Sequence, residues 1–133
     1  MGGAHMAVVD YINGLQHIGL PTKVYDETLE FYKSLGFKVA HSTTHEGNRV
    51  AFLEKDGLTM ETYDSQDAVR EAGSLEHMAL DVNNIDALFE EVKAAGYKLL
   101  TPQIEALDFW DNGVKFFKIE GPNGEAVEFC EKL

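Results

Sequence analysis

The segment GLQHIGLPTKVYDETLEFYKSLGFKV, residues 14–39, returns later in the chain as SLEHMALDVNNIDALFEEVKAAGYKL, residues 74–99. The offset is 60 residues throughout, without a gap, and eight of the 26 positions are identical. The identities include a histidine in each copy, His17 and His77. Such self-similarity indicates that the chain is built from two copies of one module.

Each copy carries the same order of predicted elements. A short apolar run, 15–20 in the first copy, predicts a strand. Apolar residues at helical spacing then predict a helix over 25–35, and the second copy shows the matching stripe from residue 85, which ends at Gly96. Three further strand-like runs follow each helix, at 37–45, 49–55 and 58–64 in the first copy and at 97–104, 113–119 and 125–131 in the second.

The order βαβββ, present twice, predicts an α+β fold. We expect two pseudo-symmetric modules that form a curved, barrel-like mixed sheet around a metal cleft. Module one covers about 14–64, a polar linker covers 65–73, and module two covers about 74–131. We interpret residues 1–6, MGGAHM, as a remnant of cloning and residues 7–133 as one domain.

Composition limits the classes of partner. The chain has 133 residues, 44% of them hydrophobic, which is enough to form a core. Its net charge of −12 disfavours nucleic-acid binding, because phosphate contacts require local positive charge. No apolar run approaches the roughly 20 residues of a membrane span, so no membrane partner is expected. The single cysteine, Cys130, excludes an internal disulfide framework, and we expect a cytoplasmic protein with a small-molecule substrate.

Strand parity selects four candidate metal ligands. Residues two apart on a strand share a face, so each histidine is expected opposite the face that packs under the helix. The same reasoning places Glu61 and Glu128 on the cleft face of the last strand in each copy. Two imidazoles and two carboxylates suit one divalent ion with open positions for water. Nickel or cobalt is favoured, and manganese, iron or zinc is compatible. The ligand set is His17, Glu61, His77 and Glu128.

With these residues the sequence resembles the vicinal oxygen chelate superfamily, and within it the bacterial glyoxalase I-like proteins. The resemblance covers nearly everything after residue 13 and rests on GLQHIGL, DETLEFYKSLGF, LEHMALDV and GPNGEAVEF. It implies that the metal positions of the family fall on the four residues named above. Many relatives with other activities lack the first glutamate, so Glu61 favours the lyase or isomerase branch.

The resemblance also implies a reaction. A metal-dependent lyase of this kind moves a proton next to a carbonyl through a metal-stabilised enediolate. Glu128 is the expected base, with Glu61 as the symmetric alternative. The substrate would be the adduct of methylglyoxal and glutathione, the product S-lactoylglutathione, and the assembly a homodimer. Whether the metal site lies within one chain or across the dimer is open.

Two positions depart from the family pattern. Pro21 stands where the resemblance predicts an arginine, and Ser65 stands where it predicts an asparagine, both expected to bind glutathione. The true substrate is therefore open. The alternatives are an epimerase, an epoxide-opening resistance enzyme or a dioxygenase of the same superfamily, or a non-catalytic protein that sequesters a small molecule.

Other residues carry weaker expectations. Cys130 shares parity with Glu128, so it either lines the cleft or fills space in the core. Residues 107–113 form either a lid over the cleft or a hairpin packed on its own aromatic side chains. Three further glutamates are expected to point to water: Glu54, Glu76 and Glu125.

Overall fold

The structure is a computed structural model that describes residues 7–133, so the predicted remnant at 1–6 lies outside the described residues. A 3₁₀ turn, Val8–Tyr11, precedes two modules of the same design. Module one contains β1 (Ile18–Thr22), α1 (Tyr25–Ser34), β2 (Lys38–His45), β3 (Asn48–Lys55) and β4 (Leu58–Asp64). Module two contains β5 (His77–Asp81), α2 (Ile85–Ala95), β6 (Glu105–Leu107), β7 (Val114–Glu120) and β8 (Ala126–Lys132).

The strands form two four-stranded mixed sheets, one for each module. Their orders are β1-β4-β3-β2 and β5-β8-β7-β6. In each sheet the first strand pairs in parallel with the last, and the other pairs are antiparallel. Gly19 is opposite Glu61 in the first sheet, and Ala79 is opposite Glu128 in the second. The α+β prediction with two βαβββ modules is confirmed, with the strands divided between two sheets.

Two strand boundaries differ from the sequence prediction. β1 continues through Pro21 to Thr22, which is possible because β1 is an edge strand and one side of its backbone needs no ladder partner. The prediction of a strand at 97–104 is wrong. Only an isolated bridge joins Leu99 to Ile119 there, and β6 begins at Glu105. Pro102 lies inside that segment and lacks the N–H that a regular ladder requires.

Both helices pack on the inner faces of the sheets and share one hydrophobic core. Apolar side chains of α1 and α2 meet inward-facing side chains of both sheets in a single buried cluster. Glu131 on β8 accepts a hydrogen bond of 2.9 Å from the first backbone N–H of α2, which satisfies one of the free donors at the helix start. Neither helix in the described chain is long and apolar enough to cross a membrane.

A buried polar junction joins the two modules. The Thr22 hydroxyl donates to Oδ1 of Asn123 at 2.6 Å, and Nδ2 of Asn123 donates to the Thr28 hydroxyl at 2.8 Å. The Thr28 hydroxyl in turn donates to the backbone carbonyl of Val24 at 2.9 Å. All three side chains are buried, and their polar groups satisfy one another across the boundary between the modules.

Candidate metal centre

His17 and Glu61 form the candidate ligand pair of module one. Nε2 of His17 lies 3.4 Å from Oε1 of Glu61. The pair forms because Glu61 is opposite Gly19 in the parallel ladder, and His17 precedes Gly19 by two residues on the same face. Gly19 has no side chain and leaves space beside Glu61. Met60, the neighbour of Glu61 on β4, faces the core and is buried, as strand parity predicts.

His77 and Glu128 form the corresponding pair of module two. Nε2 of His77 lies 3.5 Å from Oε1 of Glu128. Ala79 takes the place of Gly19 opposite the glutamate, and Val127 and Phe129 on either side of Glu128 are buried in the core. The glutamates differ in exposure, because the side chain of Glu128 is 12% exposed and that of Glu61 is 28% exposed.

A second contact fixes each imidazole ring from its other nitrogen. Nδ1 of His17 lies 2.9 Å from Oε1 of Gln16, and Nδ1 of His77 lies 2.9 Å from Oε2 of Glu76. The hydrogen bond from His77 lowers the pKa of Glu76, and the positive charge of Lys118 lowers it further. Glu76 is exposed, as expected, and it also contacts His77 and Lys118, which strand parity alone could not predict. The expectation that Glu125 points to water is wrong, because Glu125 is partly buried and accepts hydrogen bonds from the Tyr32 hydroxyl and the Asn123 backbone N–H.

The chemistry of each pair fits a bound cation. A carboxylate can only accept a hydrogen bond, so the contact with Glu76 favours the His77 tautomer that donates from Nδ1, which leaves the Nε2 lone pair free to bind a metal. That lone pair faces the Glu128 oxygen, which is also an electron-pair donor. Two donors held about 2.1 Å from one ion are separated by about 3 to 3.5 Å, close to the distances found in both modules.

The two pairs lie on different sheets of one chain. Within residues 7–133, no three His, Cys, Asp or Glu side chains come together in a way that could hold a metal ion. The sheet faces that carry the pairs are open, and the residues that lead into β1 and β5 are exposed, with Leu15 at 74% and Leu75 at 86%. A single chain therefore presents the four candidate ligands as two separate pairs, and each pair with its surroundings is called a candidate half-site below.

The surroundings of the two half-sites are chemically unlike. Phe52 is opposite Glu61 on β3, and its ring centroid lies 5.8 Å from that of His17. In module two the equivalent place opposite Glu128 is taken by Lys118, whose Nζ lies 3.6 Å from Oε1 of Glu76. One half-site thus has an aromatic wall and the other a cationic wall.

The remaining candidates lie near these faces. Cys130 is partly buried on the face of Glu128, and desolvation together with the nearby Glu128 charge raises the pKa of its thiol. In the 107–113 segment, Phe109 and Trp110 are exposed, and Nζ of Lys132 lies 4.1 Å from the Trp110 ring centroid, so the segment does not pack on its own aromatic side chains.

The two positions that depart from the glutathione-binding pattern lie together at one end of the first sheet. Pro21 is opposite Tyr63, and the backbone N–H of Ser65 donates to the carbonyl of Thr22 at 2.8 Å. Neither side chain carries the charge or amide that the family pattern predicts for this place.

Comparison with known proteins gives consistent matches. The family model described as Glyoxalase/Bleomycin resistance protein/Dioxygenase superfamily matches residues 14–129. The uncharacterised protein YwbC of Bacillus subtilis strain 168 is 30% identical over 127 residues, which cover 89% of this chain and 97% of YwbC.

Solved structures show the same fold. The glyoxalase family protein of Enterococcus faecalis has a TM-score of 0.75 and 22% identity, covering 91% of this chain and 99% of its own. The fosfomycin resistance protein FosX of Listeria monocytogenes, in complex with manganese(II) and sulfate, has a TM-score of 0.71 and 18% identity, covering 92% and 94%.

Proposed function

Because the chain belongs to the Glyoxalase/Bleomycin resistance protein/Dioxygenase superfamily, we propose that it is a metal-dependent lyase or isomerase of the glyoxalase I type. Such an enzyme moves a proton next to a carbonyl group. The observation that carries the proposal is the repeated pair of an imidazole nitrogen and a carboxylate, at 3.4 Å in module one and 3.5 Å in module two. Glu61 supplies the second carboxylate of the proposed ligand set, and its presence supports the lyase or isomerase branch of the superfamily.

The complete site is proposed to form in a homodimer. Module one of one chain would face module two of a second copy, so that His17 and Glu61 meet the partner's His77 and Glu128. The open sheet faces and the exposed Leu15 and Leu75 support this arrangement, since both would be covered by the second chain. A two-fold axis then generates two identical sites.

The residues have distinct roles in the proposed reaction. Glu128 is the base that takes the proton from one substrate carbon and returns it to the next, and its greater burial than Glu61 keeps water away from that transfer. Glu61 holds the opposite side of the site. A divalent ion bound by the four side chains supplies Lewis-acid stabilisation of negative charge on the substrate oxygens. Nickel or cobalt is the favoured ion, and manganese, iron or zinc is compatible with these ligands.

The proposed substrate is the hemithioacetal of methylglyoxal with a thiol, which would yield an S-lactoyl thioester. Pro21 and Ser65 lack the side chains that would bind the carboxylates of glutathione, and the net charge of −12 also repels them. The proposal therefore does not specify which thiol forms the hemithioacetal. The cytoplasmic location expected from the single cysteine stays a prediction.

The decisive experiment combines metal analysis with turnover. Purified protein is analysed for bound metal and then assayed with methylglyoxal alone, with glutathione and, separately, with cysteine. Bound metal with thiol-dependent formation of a thioester supports the proposal. Bound metal without turnover would discard this substrate, and loss of fosfomycin in a parallel assay would favour the epoxide-opening alternative. Ligand binding without metal or turnover would instead indicate a sequestering protein.

Mixing two variants tests the composite site. His17→Ala damages module one only, and His77→Ala damages module two only. A dimer with one chain of each kind contains one site made from two undamaged modules, so random exchange should restore roughly a quarter of wild-type activity. Each variant alone should stay inactive. Failure of the exchanged mixture to regain activity would contradict a site shared between chains.

A further inference from the structure

Gln16 and Glu76 directly precede the two candidate histidine ligands and contact their rings, although neither is itself a candidate metal ligand. We infer that Gln16 and Glu76 are positioning residues that hold the imidazole rings with Nε2 toward Glu61 and Glu128, and that Glu76 makes module two the stronger metal-binding half. The inference rests on the proposed metal site.

The geometry recurs at equivalent places in both modules. Gln16 and Glu76 are separated by the repeat offset, and each contacts Nδ1 of the following histidine at 2.9 Å. Neither residue is buried or required by the core. These exposed side chains could adopt other rotamers, yet the same contact to Nδ1 occurs in both modules. This recurrence supports a role in orienting the imidazole rings. A hydrogen bond on one imidazole nitrogen fixes which nitrogen is free to bind a metal.

The difference between amide and carboxylate separates the halves. A carboxylate bonded to Nδ1–H increases the basicity of Nε2 more than a neutral amide does, because it stabilises positive charge on the ring. Glu76 is itself held by Lys118 at 3.6 Å, and Lys118 is opposite Glu128 on the neighbouring strand. Module two therefore contains a connected series of four charged or ionisable side chains, Glu128, His77, Glu76 and Lys118, whereas module one has Phe52 in place of the lysine.

Three substitutions separate positioning from charge. Glu76→Ala removes the hydrogen bond and the charge, while Glu76→Gln keeps an acceptor and reproduces the side chain found in module one. Gln16→Ala removes the neutral contact. The probe is Mn²⁺ alone, titrated into each full-length protein, with Glu90→Gln on the exposed face of α2 as the control for net charge.

We expect Glu76→Ala to raise the Kd for Mn²⁺ by about 10- to 100-fold, the usual effect of losing such a partner. Glu76→Gln and Gln16→Ala should each raise it less, and Glu90→Gln should change it by less than about twofold. In the metal-free protein, nitrogen chemical shifts of His77 should show a protonated Nδ1 in the wild type and in Glu76→Gln. That tautomer should be lost in Glu76→Ala.

Other outcomes overturn the inference. Equal weakening by Glu76→Gln and Glu76→Ala with an unchanged tautomer would assign the effect to charge alone. Wild-type affinity in both Glu76 variants, with binding lost in His77→Ala, would remove the positioning role and leave the proposed function standing. Wild-type affinity in His77→Ala would remove both, and so would a wild type that binds neither Mn²⁺ nor Ni²⁺, the latter titrated as a second probe.

Discussion

The phenol of Tyr32 in module one donates a hydrogen bond of 2.9 Å to the carboxylate of Glu125 in module two, although 93 residues separate them in sequence. Glu125 also accepts a bond of 2.7 Å from the backbone N–H of Asn123, which belongs to the buried junction with Thr22 and Thr28. These polar contacts, together with the hydrophobic core that the two modules share, hold the two half-sites in position relative to each other.

Replacing Asn123 with alanine should destabilise the protein strongly. The change removes the side-chain acceptor of the Thr22 hydroxyl and the amide donor to the Thr28 hydroxyl inside the buried junction, where the loss of a partner costs about 1–3 kcal/mol. We expect the free energy of unfolding, measured in urea, to fall by about 2–4 kcal/mol. The control is Asn112→Ala, at an exposed turn position, which should change it by less than about 0.5 kcal/mol. Equal effects would contradict the role of the junction.

The Tyr32 phenol should make stability depend on alkaline pH. Burial raises the pKa of Tyr32 above its ordinary value of 10.0, and the Glu125 charge adds to the shift. The unfolded chain releases the phenolic proton near pH 10 while the folded chain keeps it, so the contribution is complete below pH 10 and is lost as pH rises.

Tyr32→Phe should lower the free energy of unfolding by about 1–2 kcal/mol at pH 7. Between pH 9 and pH 11 the difference between wild type and variant should shrink by about 1.4 kcal/mol, since pH 11 lies one unit above the unfolded pKa and each such unit costs that amount. Urea titrations of both proteins at each pH measure this. A difference that does not change with pH would contradict the assigned shift.

Two glycines with positive φ provide a matched test of packing. Gly124 has φ +77°, and a Cβ there would overlap the backbone carbonyl of Arg70. Gly57 has φ +88°, with open space where a Cβ would lie. Gly57→Ala should cost about 1–2 kcal/mol through backbone strain alone. Gly124→Ala should cost about 1–3 kcal/mol more, because the backbone must also move. Equal losses in thermal unfolding would show that Arg70 is not fixed against this turn.

Cys130 should react slowly with thiol reagents in the folded protein. Desolvation raises the pKa of the thiol, and the nearby Glu128 and Asp81 charges raise it further, so less thiolate is present at a given pH. At pH 8 we expect alkylation by iodoacetamide to be at least about fivefold slower than in the urea-unfolded chain. Mass spectrometry at timed intervals measures both rates. A folded rate equal to the unfolded rate would contradict this environment.

The two candidate carboxylates should differ in their effect on turnover. Glu128→Gln should lower kcat by about 100-fold or more, the usual size of a general-base contribution. Glu61→Gln should lower it less if Glu128 is the base. The metal content of each variant, measured by elemental analysis, separates loss of the ion from loss of the base. A larger effect at Glu61 would exchange the two roles.

Much of the fold could be predicted from sequence because the chain repeats itself. Both helices, and every strand except β6, begin and end within a few residues of the predicted bounds, since helical spacing and strand alternation leave direct marks in the sequence. The strand at 97–104 failed because apolar residues occur there without a regular hydrogen-bond ladder. The division of the strands into two sheets depends on long-range pairing, which periodicity does not reveal.

The candidate site, like the fold, was only partly predictable from the sequence. Parity correctly predicted that Glu61 and Glu128 lie opposite the core residues Met60, Val127 and Phe129, because alternation is a local property. It could not predict the contacts of Gln16 and Glu76, which depend on side-chain rotamers. The recurrence of a hydrogen-bonding side chain immediately before each histidine was a usable signal, visible when the two copies are aligned.

Phe52 and Lys118 have a consequence for recognition. The two modules have the same strand arrangement, but the residue opposite the glutamate has an aromatic ring in module one and an ammonium group in module two. If a molecule bound between these two walls were reversed, each of its ends would exchange an aromatic neighbour for a charged one or the opposite. The two half-sites thus share one backbone design, and their unlike walls would favour one orientation of a bound molecule over the reverse orientation.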